Sequence, residues 1–178
     1  LGQDEWVHKN YPKIGTFVDV GASDGVTLSN TFGLEQIGWT GVCVDCDSRV
    51  ITQLRSARKN VIEKAAWSFS GLELSFAQHE DQMLSGVGDG DVVVQSMSLN
   101  DICDIVGDVD YISLDTEGSE REILSTFDWK RAVKLWTVEH NNRSEDLNWM
   151  ANEFMRRGYL VRVYEWDLLA RLDVGGGW

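Results

Sequence analysis

The sequence predicts a single α/β domain, a mostly parallel sheet with helices on both faces. Short apolar, β-branched runs alternate along the chain with stretches of helical period. The length of 178 residues suits one such domain. A composition 43% hydrophobic and 25% charged supplies enough apolar surface to fill one core.

Residues 15–20 (GTFVDV) form the first predicted strand, ending at Gly21, and residues 26–37 the first helix. Residues 41–45 (GVCVD) give a second strand. Residues 48–58 give a helix with Val50, Ile51 and Leu54 on one face, and 61–64 a third strand. Residues 72–76 and 91–97 alternate like antiparallel strands, and the polar, glycine-rich stretch 79–90 between them reads as a mobile loop. Ser98 is placed to cap a helix through Leu99, Ile102 and Ile105, with Asp101 three residues on. Residues 109–115 (VDYISLD) form a buried strand, and Ser119 is placed to cap a short helix whose Glu120 and Glu122 read as surface charges. Residues 133–139 (VKLWTVE) form another strand. Residues 144–157 make a helix stopped by Gly158, and 159–164 (YLVRVY) close the series.

The net charge of −13 repels phosphate backbones, so nucleic acid is not an expected partner. No apolar run approaches the roughly 20 residues of a membrane helix, and no secretory pattern opens the chain. Three cysteines, Cys43, Cys46 and Cys103, make no disulfide framework, and a reducing, cytoplasmic setting is expected. Cys43 and Cys46 spell C-x-x-C, but no second pair follows at zinc-site spacing. Leu1 at the start leads to the expectation of a domain cut from a longer chain.

The chemistry-bearing run is Asp19-Val20-Gly21-Ala22-Ser23-Asp24-Gly25, between a strand and a helix. Gly21 and Gly25 let the backbone turn tightly and approach a ligand. Asp45, at the end of the second strand, suits two ribose hydroxyls. The dinucleotide spacing G-x-G-x-x-G is absent, and so is a Walker lysine. Acids instead stand where a sulfonium, an ammonium and a ribose would be held, which suits S-adenosylmethionine.

Residues 15–31 (GTFVDVGASDGVTLSNT) resemble the first motif of the FkbM family of methyltransferases. The resemblance runs on through LGQDEWV, GWTGVCVD, AAWSFSGLELSF, VDYISLDTEGSEREIL, TVEHN and RGYLVRVYEWDLLA, in order over nearly the whole chain. It implies a Rossmann-like, seven-stranded class I methyltransferase fold with S-adenosylmethionine as donor. It also implies a carbohydrate or glycosylated small molecule as acceptor, with glycosyltransferase domains fused or acting alongside. Carried over by residue, it implies that Asp19, Gly21, Ala22, Ser23 and Gly25 line the methionine part. Thr27, Ser29 and Asn30 would open the next helix, whose N–H groups favour the cofactor carboxylate. Ala65, Ala66 and Trp67 would border the adenine, and Gln3 and Asp4 would lie at the cofactor mouth. Asp45-Cys46-Asp47 departs from the usual Glu-Pro-Asn, leaving Asp45 or Asp47 as the ribose ligand, with Asp45 favoured.

Methylation of a sugar hydroxyl needs a general base or a metal. Asp115, with Glu117 beyond it, and Glu139-His140-Asn141 stand at later strand ends. His140 is the leading base candidate because an imidazole titrates near neutrality. Asp115, Glu139 and Asn141 are an alternative oxygen set for Mg²⁺. Trp67, Trp149 and Trp166 are candidates for stacking on a sugar. The expected activity is O-methyl transfer to a glycan. The alternatives are a cofactor-binding scaffold without catalysis and a nicotinamide-dependent reductase, the latter opposed by the glycine spacing.

Overall fold

A computed structural model describes residues 2–80 and 84–173. The glycine run 175–177, Leu1 and residues 81–83 of the expected loop lie outside them. The elements run α1 (Gln3–Asn10), β1 (Thr16–Val20), α2 (Phe32–Gln36), β2 (Thr40–Asp45), α3 (Ile51–Ala57), β3 (Val61–Glu63), β4 (Ala65–Trp67), β5 (Glu73–Ala77), β6 (Gly86–Val87), β7 (Val92–Ser98), α4 (Leu99–Val106), β8 (Tyr111–Leu114), α5 (Glu120–Ser125), β9 (Leu135–Glu139), α6 (Ser144–Arg156), β10 (Tyr159–Tyr164) and β11 (Asp167–Leu172).

The main sheet has seven strands in the order β10-β11-β9-β8-β1-β2-β3. Only β11 runs antiparallel to its neighbours. Strand order reverses between β1 and β8, which opens a crevice at their carboxyl ends. A smaller sheet has the order β4-β7-β5-β6, with β4 packed near β2 and α5.

Alternation along the strands sorts the side chains. Val20, Val44, Leu114, Val138 and Leu168 enter one core with Trp136 and Phe154. Phe17, Cys43, Tyr111 and Leu135 enter a second core on the opposite face, under Val7 of α1 and Leu34 of α2. With a period of two, Asp19, Asp45, Ser113, Asp115 and Glu139 follow the second set. The polar strand ends therefore share one face.

Several expectations are corrected. The first helix covers only Phe32–Gln36. Asp24 Oδ1 captures the N–H groups of Val26 (2.8 Å) and Thr27 (2.7 Å), a local turn that competes with the helix. Leu28 turns left-handed at φ 56°. Ser98 caps α4 as expected, its Oγ accepting from Asp101 N at 3.1 Å. Ser119 makes no such bond. Glu120 is buried instead of exposed, its carboxylate accepting from Thr116 N (2.7 Å) and Gly118 N (3.2 Å). The stretch 79–90 contains β6, paired with β5. The series closes not with 159–164 but with β11, inserted between β10 and β9.

Candidate cofactor and active site

A cavity of about 380 Å³ opens at the crevice, within the roughly 300–1,000 Å³ of small-molecule sites. Its floor is the end of β1. Gly21 has φ 80°, and a Cβ there would lie 1.5 Å from the carbonyl oxygen of Asp115. Only a glycine lets β1 and β8 end so close together.

Asp19 is buried beneath this turn. Burial pushes its carboxyl up, while Thr31, Arg58, Ser29 and Ser113 pull it back down. Thr31 Oγ1 donates to Asp19 Oδ2 at 2.5 Å. Arg58 of the α3 C-cap, fully buried, approaches that oxygen to 3.7 Å and pairs with Glu35 at 2.9 Å. The same guanidinium donates to the Gly25 carbonyl (3.0 Å), Ser29 Oγ (3.1 Å) and Thr31 Oγ1 (2.7 Å). One buried cation thus fastens the whole glycine turn.

Asp45 Oδ2 accepts from Ser23 N at 2.8 Å, and Oδ1 from Asp47 N at 2.9 Å. Burial, the largest influence, raises its carboxyl, and these N–H groups oppose it. Asp47 is held by Arg49 through Nε (3.0 Å) and Nη2 (2.5 Å) and by Gln78 at 3.0 Å. Arg49 also donates to Ser85 Oγ (2.8 Å) and the His79 carbonyl (2.7 Å), which ties these two residues to Asp47. Asp45 and Asp47 both line the cavity, and Asp47 is the one paired with a cation. Ala65, Ala66, Phe76 and Val87 give this end an apolar wall.

At the other end, Asp115, Glu117 and Glu139 each bring an oxygen within 4.8 Å of the others. Burial raises the Asp115 carboxyl well above its ordinary 3.8, and the charge and hydrogen bond of Glu139 raise it further. Burial also raises Glu139, while its bond to Asp115 opposes this. The two carboxyls are hydrogen-bond neighbours, and both have raised proton affinity. Among the described residues Glu139 Oε2 is buried without a hydrogen-bond partner. As a set of hard oxygens, the trio also fits a divalent cation such as Mg²⁺.

Of the residues expected from the sequence, Asp19, Gly21, Ala22, Ser23, Thr27, Ser29, Asn30, Asp45, Cys46, Ala65, Ala66, Asp115, Glu117 and Glu139 line this one cavity, as does Gln3. Thr27, Ser29 and Asn30 do so from a turn, not from a helix N-terminus. Gly25 is not in the lining. A Cβ there would meet Leu54 at 2.6 Å and Arg58 at 2.7 Å, so it serves packing against α3. His140 is also outside the lining. It is buried and neither ring nitrogen has a hydrogen-bond partner, so it is not placed to act as the base. Asn141 hydrogen-bonds Glu139 from outside the lining, and Glu117 is a further acidic oxygen donor beside Asp115 and Glu139. Asp4 instead lies against Gly33. Of the three tryptophans, only Trp166 reaches the cavity.

Glu165 and Asp167, which flank the stacking candidate Trp166 at the β10–β11 turn, are among the lining residues not expected from the sequence. Asp167 stands directly opposite Glu139 in the ladder, and Gln3 Nε2 donates to it at 2.5 Å. The acid-rich EWD within YLVRVYEWDLLA was a readable hairpin signal, two apolar runs joined by two residues.

Residues 19–164 match the methyltransferase FkbM domain. The chain belongs to the FkbM methyltransferase family. Its donor is S-adenosylmethionine, and the cavity fits that group: carboxylates for its cationic centres, Asp45 at a strand end, an apolar wall beside it. No curated protein matches the chain. Among solved structures it is similar to precorrin-6y C5,15-methyltransferase from Geobacter metallireducens GS-15, with a TM-score of 0.58 and 11% identity over 96% of this chain and 87% of that one. It is also similar to ribosomal protein L11 methylase from Lactobacillus delbrueckii subsp. bulgaricus, with a TM-score of 0.54 and 10% identity over 96% and 78%. At such identities the likeness establishes the class I methyltransferase fold.

Proposed function

We propose that this FkbM methyltransferase methylates a hydroxyl of a carbohydrate or glycosylated small molecule, with the Asp115–Glu139 pair as general base. The observation that carries this reading is the Asp115–Glu139 carboxyl pair in the wall of the cofactor cavity, both groups raised by burial. A neutral hydroxyl must lose its proton as the new carbon–oxygen bond forms. A carboxylate pair with raised proton affinity is a better match to that task than an ordinary carboxylate.

The bound cofactor supplies an electrophilic methyl group on a sulfonium. Asp45 would hold the ribose hydroxyls, Ala65 and Ala66 would border the adenine, and Asp19 with the Gly21–Ser23 turn would receive the aminoacyl end. Asp115 and Glu139 orient the acceptor oxygen and take its proton at Glu139 Oε2 or Asp115. Ser85, held by Arg49, and Gln3 of α1, bonded to Asp167, line the cavity beside these groups.

The test is S-adenosylhomocysteine release with a glycoside panel, with the methylated atom located by NMR. Asp115→Asn should lower kcat by about 10²–10⁴-fold with cofactor affinity retained. An Asp115→Asn enzyme as fast as wild type would overturn the base assignment. Rates abolished by chelation and restored by Mg²⁺ would reassign Asp115, Glu117 and Glu139 to a metal. Cofactor binding without turnover on any acceptor would support a scaffold domain.

A further inference from the structure

We propose that the tip of the β10–β11 hairpin, Glu165-Trp166-Asp167, is an acceptor subsite for a protonated amino group, which makes the preferred acceptor a hydroxylated amine of the amino-sugar class. The inference rests on the methyl-transfer reading above and names the acceptor chemistry of the same cavity.

Charge in the cavity is lopsided. Eight of its lining residues are acidic and one, Lys64, is basic. Most of the acids have occupations. Asp19 is near Arg58, and Asp47 is paired with Arg49. Asp45 takes two backbone N–H groups, and Asp115 and Glu139 are hydrogen-bond neighbours with raised proton affinity. Glu165 and Asp167 form no salt bridge with an Arg or Lys among the described residues, and Asp167, raised by burial, is drawn back down by the charge of His140. Gln3 serves one oxygen of Asp167 through a neutral amide.

Between these acids in sequence stands Trp166, 53% exposed although it lines the cavity. Its position is fixed, because the Trp166 carbonyl accepts from His140 N at 2.9 Å and the flanking Tyr164 and Asp167 close the ladder. An indole that lines the same cavity edge as two acids is the kind of surface that holds an ammonium group. A neutral sugar uses the aromatic surface but not the surplus of acidic groups. An anionic acceptor is repelled by it. The hairpin follows Glu139 directly in the sheet, so an amine at the tip leaves a hydroxyl of the same small molecule at the Asp115–Glu139 pair.

The experiment uses the full chain saturated with S-adenosylhomocysteine. Methyl glucosaminide, its N-acetyl derivative and methyl glucoside are titrated by calorimetry at low and high salt, and all three are assayed for turnover with S-adenosylmethionine. The free amine should bind at least about tenfold more tightly than either neutral probe, with the margin shrinking as salt rises. Glu165→Gln should remove most of that margin, and Trp166→Ala should weaken the amine by about two- to fivefold. Both side chains are exposed enough to replace without unfolding the protein, which a melting curve verifies. Equal or weaker binding of the amine, or no binding of it at any soluble concentration, overturns the inference. So does a margin that Glu165→Gln leaves intact. Turnover of the neutral glycosides with no amine preference defeats the subsite and leaves hydroxyl methylation standing. Methyl transfer to the nitrogen of a tightly bound amine does the reverse.

Discussion

Replacing Arg58 by methionine tests how the glycine turn is held. The guanidinium is fully buried and touches Glu35, Ser29, Thr31 and the Gly25 carbonyl, with Asp19 at 3.7 Å. It also lies over the rings of Phe17 (5.4 Å) and Phe32 (5.9 Å), so methionine preserves much of the apolar packing. What is lost is the partner of two carboxylates whose side chains are only 6% and 5% exposed. Removing one member of a buried ion pair costs about 3–5 kcal/mol. Against a total stability of about 5–15 kcal/mol, that is a large share. At about 2–4 °C per kcal/mol for a domain of this size, the melting temperature should fall by roughly 6–20 °C. The sign with pH follows. Without Arg58 the Asp19 carboxyl, already raised by burial, rises further, so the variant gains relative stability as it protonates. The deficit should therefore narrow from about pH 7.5 to about pH 5. Circular-dichroism melts at both values provide the measurement. Arg58→Lys keeps the charge but cannot span four acceptors, and should fall between. A methionine variant that melts within about 2 °C of wild type at the higher pH, a shift worth only about 1 kcal/mol, would refute the assigned role.

Four further outcomes are expected. Gly21→Ala forces apart the ends of β1 and β8 and should abolish calorimetric binding of S-adenosylhomocysteine while lowering the melting temperature. Asp45→Asn should weaken that binding by about tenfold or more, since hydrogen bonds to a charged group are worth about 1.5–3 kcal/mol. Asp115 has a folded pKa raised above 3.8. Its protonated pair therefore stabilises the fold at low pH and loses that contribution as pH rises through the raised value. Over the same window wild-type kcat/KM should climb, and both trends should vanish in Asp115→Asn. Glu165 occupies φ 52° in a two-residue hairpin turn. Glu165→Gly should raise stability by about 1 kcal/mol in thermal melts, and the same variant should bind the amine probe less well.

The parallel framework was legible because burial on both faces leaves unmixed apolar runs such as those around Val18, Val42 and Ile112. The glycine turn and Asp45 were legible because their backbone demands fall on neighbouring residues. The extent of the first helix was not, since Asp24 diverts the N–H groups that the helix needs and propensity does not register that competition. Glu120 read as a surface charge from its place on a short helix, yet its carboxylate is spent on the backbone of the preceding turn. His140 was favoured as a base on its chemistry alone. Placement one residue past Glu139 aims it away from the face that carries Asp115, and no local pattern marks the difference between two adjacent strand-end residues. Glu165 and Asp167 went unassigned beside the stacking candidate Trp166: the local hairpin was readable, but the antiparallel return that lays it against β9 is a long-range event.

Register explains why the chemistry collects where it does. Val20, Val44, Leu114 and Val138 are at one level on adjacent strands. The next level therefore holds Asp45, Gly21, Asp115 and Glu139, and β11 adds Asp167 opposite Glu139. Strands lie about 4.8 Å apart, so Asp115, Glu139 and Asp167 form a row of like charges on one face, an arrangement that costs stability. Each charge is met differently: raised proton affinity for Asp115 and Glu139, the Gln3 amide and the charge of His140 for Asp167, two backbone N–H groups for Asp45. No Arg or Lys among the described residues forms a salt bridge with the row, while the buried Asp19 and Glu35 behind it have Arg58. A cationic ligand completes electrostatically what the fold leaves open, and the sulfonium donor is such a ligand.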